Sequence, residues 1–211
     1  MLFRSDRITL SGVLIDEPNN VTNIAQIVLL NVRARQFPAP PTAEWRAGLK
    51  EEQFSAILLR SFKLDSAELS DVTGSAGASK ADMTMKKLLV TALNPDNLGS
   101  VRITGLTVVD AAKKDTVVLG QLDIADLQWA KLLEALARDA KPADFGQALA
   151  LYQLGRVELT QLKIVNESDK TTIGIDKLAI GKLDIQGLGS ASFSGLTVAN
   201  AKDSIDRKSV V

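Results

Sequence analysis

The ten residues VRITGLTVVD (101–110) decide the fold, because the chain repeats their pattern. The same phrase returns in altered form as VELTQLKIVN (157–166) and ASFSGLTVAN (191–200). The apolar residues are kept between copies while the residues between them change, which is typical of strands that share one core face. The sequence therefore predicts a protein built largely from one repeated kind of β-strand.

The repeat covers more than a single strand. A shift of 56 residues aligns 101–127 with 157–183 without a gap, and weaker copies begin at residue 67 and near the N-terminus. The matching anchor residues of the five copies are Leu10, Leu69, Ile103, Leu159 and Phe193. Successive anchors are 59, 34, 56 and 34 residues apart, so long and short intervals alternate.

This alternation predicts a super-repeat of about 90 residues. We expect a first super-repeat over 1–99, a second over 100–190 and the start of a third over 191–211. The three parts are expected to form one continuous, elongated domain. The repetition also suggests that the chain is a fragment of a longer repeat protein.

Each copy is divided by a short polar stretch. These stretches are DEPNN (16–20), DAAKKD (110–115) and NESDK (166–170). Turn-forming residues between two β-rich runs predict a β-hairpin. The glycine-rich stretch GSAGASK (74–80) falls at the equivalent turn of the second hairpin. It lacks the spacing of a phosphate-binding loop, so we interpret it as a turn.

The strands are predicted to be bent. Their apolar residues are spaced by three and then by two, whereas a regular strand alternates by two throughout. A three-residue step requires a bulge or a bend, and glycine is common at such places. The glycines at the equivalent step are Gly12, Gly105 and Gly195, and Gln161 takes their place in the fourth copy. We expect the partner strands to bend in the same way at Gly120 and Gly174.

The second long interval predicts a helical hairpin. Apolar residues recur at helical spacing in 129–140, and Pro142 is expected to end this helix. Asp144 is expected to cap a second helix together with Gln147, and Gly155 to end it. The apolar residues of the two helices are Trp129, Leu132, Leu133 and Leu136, then Phe145, Leu149 and Tyr152.

The first long interval has the same plan. Thr42 is the expected cap of its first helix, and Trp45 corresponds to Trp129 of the other interval. The apolar residues of the two helices are Trp45 and Leu49, then Phe54, Ile57 and Leu58. The predicted fold class is therefore α+β, a meander of twisted antiparallel hairpins with two helical hairpins packed on one face. A β-solenoid with one parallel rung per strand is the alternative that the same spacing allows.

Composition excludes several functional classes. The chain contains neither cysteine nor histidine, which excludes disulfides, thiolate zinc sites and the Ser-His-Asp triad. Its formal net charge is zero, whereas a nucleic-acid partner requires a basic surplus. No segment has the roughly 18 apolar residues of a membrane-spanning helix, and the acidic turns lack a calcium-loop pattern. We expect a non-enzymatic protein without a cofactor or a bound metal.

The sequence pattern of the hairpins resembles that of known repeat proteins. Runs such as ITGLTV (103–108) and TVVLGQLDIADL (116–127), interrupted by alanine- and leucine-rich helices, resemble uncharacterised repeat proteins of Gram-negative envelopes. More loosely, they are similar to AsmA-like β-groove proteins that transport lipids. The resemblance covers about 100–127 and 155–200. It implies a periplasmic or envelope location and contact with lipid.

The aliphatic strand faces are the candidate functional surface. This surface is represented by Ile103, Leu106, Val108, Leu159, Leu162 and Ile164. An uncovered face of this kind suits acyl chains, whereas complete cover by helices or hairpins would make it ordinary core, which we favour for this chain. The predicted function is a non-enzymatic scaffold or interaction module of the bacterial envelope, which associates with a protein partner or with itself through its sheet edges. Lipid binding along the face is the alternative, and hydrolysis by paired carboxylates is a third possibility.

Overall fold

In the computed structural model the chain forms one antiparallel β-sheet with helices at one end. The structure describes residues 3–34, 48–76, 81–138, 147, 150–184, 186–200 and 204–207. The strands are β1 Phe3–Glu17, β2 Asn20–Ala34, β3 Phe62–Ala76, β4 Ala81–Leu93, β5 Asn97–Asp110, β6 Asp115–Gln128, β7 Gln153–Asn166, β8 Thr171–Ile180, β9 Leu183–Asp184, β10 Gly187–Leu188, β11 Ala191–Ser194, β12 Leu196–Asn200 and β13 Ser204–Arg207.

The sheet is an open meander. Its strands lie in the order β1-β2-β3-β4-β5-β6-β7-β8-β12-β13, with β11 also paired to β8 and the short β9–β10 hairpin attached to β7. All described strand pairs are antiparallel, as the meander prediction requires. The parallel rungs of a solenoid do not occur among these strands. The 99/100 boundary between the expected super-repeats falls inside β5, which pairs with β4 without a break.

The two ends of the sheet differ. The connections of the hairpins β1–β2, β5–β6 and β7–β8 lie at one end, here called the turn end. The opposite end, here called the helix end, carries the helices α1 (Glu51–Ser61) and α2 (Ala130–Ala137). These helices belong to the intervals between β2 and β3 and between β6 and β7, and they pack against each other.

The helices are anchored to the helix end by specific contacts. The indole Nε1 of Trp129 donates a hydrogen bond of 3.1 Å to the carbonyl oxygen of Asn94, and the backbone N–H of Trp129 donates to the carbonyl oxygen of Asp96. Leu133 of α2 and Ala56 of α1 are buried. The row of strand residues nearest the helices is also buried at Val32, Leu64 and Leu98.

Several helix predictions need correction. The helix predicted over 129–140 spans Ala130–Ala137, with Trp129 as its N-cap. The prediction that Gly155 ends a helix is wrong, since the chain is already extended from Gln153 and Gly155 lies inside β7. Tyr152, expected on the second helix, lies between the helical Leu151 and this strand. The predicted helix residues Thr42, Trp45, Pro142, Asp144, Phe145 and Leu149 lie outside the described residues.

The strand register brings the anchors of successive copies into one line. Neighbouring strands pair so that a single row of residues crosses the whole sheet at right angles to the strands. All of its nine members are apolar. They are Leu10, Ile27, Leu69, Leu88, Ile103, Leu122, Leu159, Leu178 and Phe193. The spacing that is counted along the sequence is therefore the spacing of neighbours in the sheet.

Two creases cross the sheet parallel to this row. In each crease, strand residues have a left-handed backbone, which interrupts the two-residue alternation. The turn-side crease has a positive φ on odd-numbered strands, at Gly12, Asp71, Gly105 and Gln161, and again at Gly195, which joins β11 to β12. The helix-side crease has it on even-numbered strands, at Asn31, Ala92 and Asp126.

The predicted bends are thereby confirmed at Gly12, Gly105, Gln161 and Gly195. They are bends rather than bulges, because the pairing continues in the same register on both sides of the crease. Ser11 pairs with Gln26 and Val13 with Ile24, for example. The expected bends at Gly120 and Gly174 are wrong. Neither residue has a positive φ. β6, the strand of Gly120, has its left-handed residue at Asp126 in the helix-side crease instead.

At several places in the creases a glycine lies directly opposite a residue with a side chain on the neighbouring strand. At Gly99 an added Cβ would lie 2.8 Å from the Cβ of Ala92, and at Gly155 it would lie 2.6 Å from the Cβ of Asp126. Such distances leave room only for glycine. The same close approach, within 3.2 Å between Cβ atoms, recurs across neighbouring strands at several pairs. They are Lys86–Gly105, Ala92–Gly99, Gln161–Gly120, Asp126–Gly155, Asp176–Gly195 and Lys182–Gly189.

Candidate functional site

The candidate site is one face of the sheet, which is lined by aliphatic residues in five rows and is called here the aliphatic face. On β5 its members are Leu98, Val101, Ile103, Leu106 and Val108. Each pairs with an apolar residue of β6, and each of those pairs with an apolar residue of β7. The β7 members are Leu154, Val157, Leu159, Leu162 and Ile164.

The creases keep these rows on one face. Between Leu98 and Val101, and again between Ile103 and Leu106, the step is three residues. An unbroken strand would turn every residue beyond such a step to the opposite face. On β5 the left-handed Gly105 compensates for the extra residue at the turn-side step. At the helix-side step the left-handed residues lie on the neighbouring strands, at Ala92 and Asp126. Apolar side chains therefore continue along the full length of the strands.

The six residues that the sequence singled out all belong to this face. Ile103 and Leu159 lie in the same row on either side of Leu122, and the other two pairs flank Leu119 and Val117 in the same way. All six are half-buried. The structure therefore brings together the residues that the sequence predicted as one surface.

Cover of the aliphatic face is uneven. Val32, Leu64 and Leu98 at the helix end are buried, and so are Ile24, Val72 and Leu119 in the row that contains Leu106. Leu10 and Ile15 on the edge strand are 48% and 45% exposed. No large side chain among the described residues is less than 2% exposed. The rows that contain Ile103 and Val108 are half-buried on β5, β6 and β7. Part of the aliphatic face therefore remains within reach of solvent.

The opposite face carries the charges. Arg102 Nε donates to Asp123 Oδ1 at 2.6 Å, and Gln121 Nε2 donates to Asp123 Oδ2. Asp123 is buried although it is charged, and these two donors satisfy it. Two further cross-strand ion pairs, Lys87–Glu68 at 2.9 Å and Lys177–Glu158 at 3.1 Å, lie on the same face. The sheet thus has one charged face and one aliphatic face.

A polar cleft of about 640 Å³ lies at the helix end and is a second candidate site. It lies between α2 and the β9–β10 hairpin. Two carboxylates, Asp96 and Asp184, line it together with Lys131, Tyr152 and Gln186. Sequence reasoning missed this cleft, because its walls come from four separate segments that share no motif.

The chemistry of Asp184 does not suit a hydrolytic acid. A hydrogen bond from the Lys182 ammonium, at 2.9 Å, lowers the pKa of this carboxyl, and the backbone N–H of Gln186 lowers it further. A glycosidase of the usual kind needs one carboxyl with a raised pKa to protonate the leaving group. Asp184 is instead held as the carboxylate.

The acidic turns use their carboxylates for backbone capping. Asp110 Oδ1 accepts hydrogen bonds from the N–H groups of Ala112 and Lys113, and Asp115 Oδ1 accepts one from Glu167. Such side-chain caps are ordinary turn chemistry. Within the part of the chain that the structure describes, no three histidine, cysteine, aspartate or glutamate side chains are grouped to hold a metal ion.

Comparison with known protein families, with curated proteins and with solved structures finds no match for this chain. Among the described residues, no helix has both the length and the apolar character needed to cross a membrane.

Proposed function

We propose that this chain is a non-enzymatic scaffold of β-hairpin repeats whose aliphatic face binds the acyl chains of lipids. The observation that carries the proposal is the accessible face itself. Five rows of apolar residues cross β5, β6 and β7, and the central row is apolar over nine strand positions. Residues of that row such as Ile103 and Leu159 are half-buried rather than enclosed. Large exposed apolar patches mark binding sites, so we expect an accessible apolar face of this size to bind a ligand.

The composition of the face favours acyl chains over a protein partner. Protein interfaces are enriched in tyrosine, tryptophan and arginine at their centres. Aromatic residues make up only 4% of this chain, and the nine residues of the central row include one aromatic, Phe193. Leucine, isoleucine and valine offer a uniform apolar surface without directional groups, which matches the chemistry of a hydrocarbon chain.

The dimensions and the energetics also fit. Nine strand positions at a spacing of about 4.8 Å extend over about 38 Å along a row. Each methylene buried from water contributes about 0.8 kcal/mol, so a single long acyl chain is retained without any specific contact to its headgroup. We therefore expect affinity to grow with acyl length and to depend little on headgroup charge.

The hairpin-repeat organisation and the location belong to the same proposal. The row from Leu10 to Phe193 supports a repeat of one hairpin unit. The envelope or periplasmic setting rests on the pattern-level resemblance alone, and lipid binding is a function suited to that compartment.

A pair of neighbouring substitutions on β7 tests the proposal. Leu159 lies on the aliphatic face and Thr160 on the charged face. The chain, stripped of lipid, is incubated with dioleoyl-phosphatidylethanolamine and examined by native mass spectrometry. We expect lipid-bound species for the unaltered chain and for Thr160→Asp, and at least a tenfold loss for Leu159→Asp.

The unfolding midpoint of each variant separates lost binding from lost folding. If Leu159→Asp unfolds under the binding conditions, Leu159→Gln, which places a polar but uncharged group on the face, replaces it. Absence of bound lipid in the unaltered chain, or an equal loss with Thr160→Asp, contradicts lipid binding. In that case the non-enzymatic scaffold remains without a ligand.

A further inference from the structure

The edge strand β1 has the features of an interface. It is 15 residues long, contains no proline and forms one end of the strand order, so its outer side pairs with no strand of the described chain. Phe3, Leu10, Leu14 and Ile15 are each at least 45% exposed. Only one other large apolar residue in the described part of the chain, Leu188, is as exposed. Long edge strands with exposed apolar residues and no proline recruit further strands.

The creases specify which strand fits beside β1. Four of the six close Cβ–Cβ contacts lie between β4 and β5 or between β6 and β7, and a fifth joins β8 to Gly195. At each of these contacts one residue is glycine and the other carries a side chain. Asp176 of β8 beside Gly195 is one example, with 2.6 Å between the Cβ of Asp176 and an added Cβ. Between β2 and β3 the crease residues Asn31 and Asp65 both carry side chains, which are hydrogen-bonded to each other. We expect a strand placed before β1 to make the glycine contact seen between β4 and β5 and between β6 and β7.

The outer side of β1 carries the glycine of such a contact, but no described residue lies opposite that glycine on this outer side. Gly12 has a φ of 65°, close to the 66° of Gly195, yet an added Cβ at Gly12 would meet no atom within 4 Å. Six residues earlier, at the helix-side crease, β1 has Asp6. The strand therefore presents a glycine at one crease and an aspartate at the other.

We propose that the partner of β1 is β1 of a second copy of this chain, antiparallel and related by a two-fold axis through Thr9. With Thr9 opposite Thr9, Asp6 of the second copy falls beside Gly12, and Gly12 of the second copy falls beside Asp6. Both creases then receive the aspartate–glycine contact that Asp176 and Gly195 make within the chain. The left-handed residue of the second copy falls at the helix-side crease, where every even-numbered strand from β2 to β6 has its own.

The same register continues the aliphatic face. Ile8 falls opposite Leu10 of the second copy, Phe3 opposite Ile15, and Ser5 opposite Val13. Arg7 falls opposite Ser11, so no like charges face each other between Phe3 and Ile15. A shift by two residues in either direction breaks both crease contacts at once, and therefore one register is preferred. This inference does not depend on lipid binding, although it would extend one aliphatic face over both copies.

Chemical cross-linking tests the register, because the chain contains no cysteine. In Thr9→Cys the two introduced residues lie directly opposite each other, with Cα atoms about 4.5–5.5 Å apart, within the range of a disulfide. We expect mild oxidation to convert most of this variant to a covalent dimer. Ser11→Cys is the matched control, since its two copies would be about 14 Å apart along the strands and are expected to remain monomeric on a denaturing gel.

A mixture extends this test. Arg7→Cys and Ser11→Cys are each expected to fail alone and to form a disulfide when mixed, because residue 7 of one copy lies opposite residue 11 of the other. Cross-linking of Ser11→Cys alone, or no disulfide in Thr9→Cys, overturns the proposed pairing.

Mass measurement by light scattering tests the association itself. The unaltered chain is expected to be a dimer and Leu10→Lys a monomer, since the lysine introduces a charge into the row opposite Ile8. Leu10 is 48% exposed, so the substitution leaves folding intact. Leu188→Lys, the same change at a residue that is 54% exposed and far from β1, is expected to remain a dimer. A monomeric unaltered chain, or a dimer that survives Leu10→Lys, contradicts the proposal.

Discussion

The strands β1 and β5 have nearly the same sequence pattern but differ in the number of strands beside them. RITLSGVLID (7–16) on β1 and VRITGLTVVD (101–110) on β5 share the crease glycine and the apolar residues around it. On β5 the anchor Ile103 is half-buried between two neighbouring strands, whereas its counterpart Leu10 on β1 is 48% exposed. The burial of an anchor residue therefore depends on the strands beside it rather than on the sequence of its own strand.

This difference shows how a hairpin repeat is stabilised. A single hairpin in water is marginal at best, because its apolar face has no second surface to pack against. Each hairpin gains stability when the next one is placed in register beside it. The centre of the sheet is expected to be the stable part of the molecule, and β1 the part that depends on a partner.

The largest expected effect compares one leucine at the centre with one at the edge. Leu119 on β6 is 7% exposed and Leu10 on β1 is 48% exposed. Leu119→Ala is expected to lower the free energy of unfolding by about 2–4 kcal/mol. Leu10→Ala is expected to lower it by less than about 1 kcal/mol, since Leu10 is already solvated. Urea unfolding of both variants at low protein concentration measures the difference, and equal losses would contradict the comparison.

The second prediction concerns whether the close contacts at the creases stabilise the centre of the sheet. In Gly99→Ala the new Cβ would lie 2.8 Å from the Cβ of Ala92 and 3.1 Å from the carbonyl oxygen of Thr91, which is expected to cost about 1–3 kcal/mol. Ala92→Gly relieves a left-handed φ of 51° and is expected to stabilise by about 0.5–1 kcal/mol.

The two crease variants are expected to be coupled. Gly99→Ala should cost less in the Ala92→Gly background, because the Cβ that it meets has been removed. A double-mutant cycle from denaturant unfolding gives the coupling energy, expected at about 1 kcal/mol or more. Simple additivity would show that the side chains at the crease do not touch.

The smallest expected effect concerns pH at the helix end. The Lys182 ammonium holds the pKa of Asp184 below its ordinary 3.8 in the folded chain. A carboxyl with a lowered folded pKa contributes stability above its unfolded pKa, and that contribution disappears as the pH falls through the folded value. Carboxyl titration by NMR is expected to show the Asp184 pKa rising toward 3.8 in Lys182→Met. An unchanged pKa would show that the ion pair is not formed in solution.

The strands and one crease are predictable from local signals. Glycine at Gly12, Gly105 and Gly195, together with a three-residue step between anchors, indicates a bend within each strand's own sequence. The helix-side crease gives no such signal, because Asn31, Ala92 and Asp126 are not glycine. The glycine partners of Ala92 and Asp126 are Gly99 and Gly155, which lie on the neighbouring strand, and only the strand pairing brings each pair together.

The candidate surface shows the same division. The six aliphatic residues from Ile103 to Ile164 lie in three rows of the sheet, and periodicity along a strand fixes which side chains point together. How far each row is buried is not predictable, because burial depends on contacts between distant segments. Trp129 anchors α2 beside Asn94 and Asp96 at the helix end, whereas in the middle of the sheet Leu119 is buried and Ile103 is half-buried.

The sequence alone determined the hairpins, the order of their anchors and the aliphatic character of one face, because these depend on spacing within short segments. The tertiary structure decided the helix-side crease, the exposure of β1, the polar cleft and the partial cover of the aliphatic face. Each of these depends on contacts between residues far apart in the chain. Local spacing specifies the direction of a side chain, whereas burial depends on which other segments pack against it.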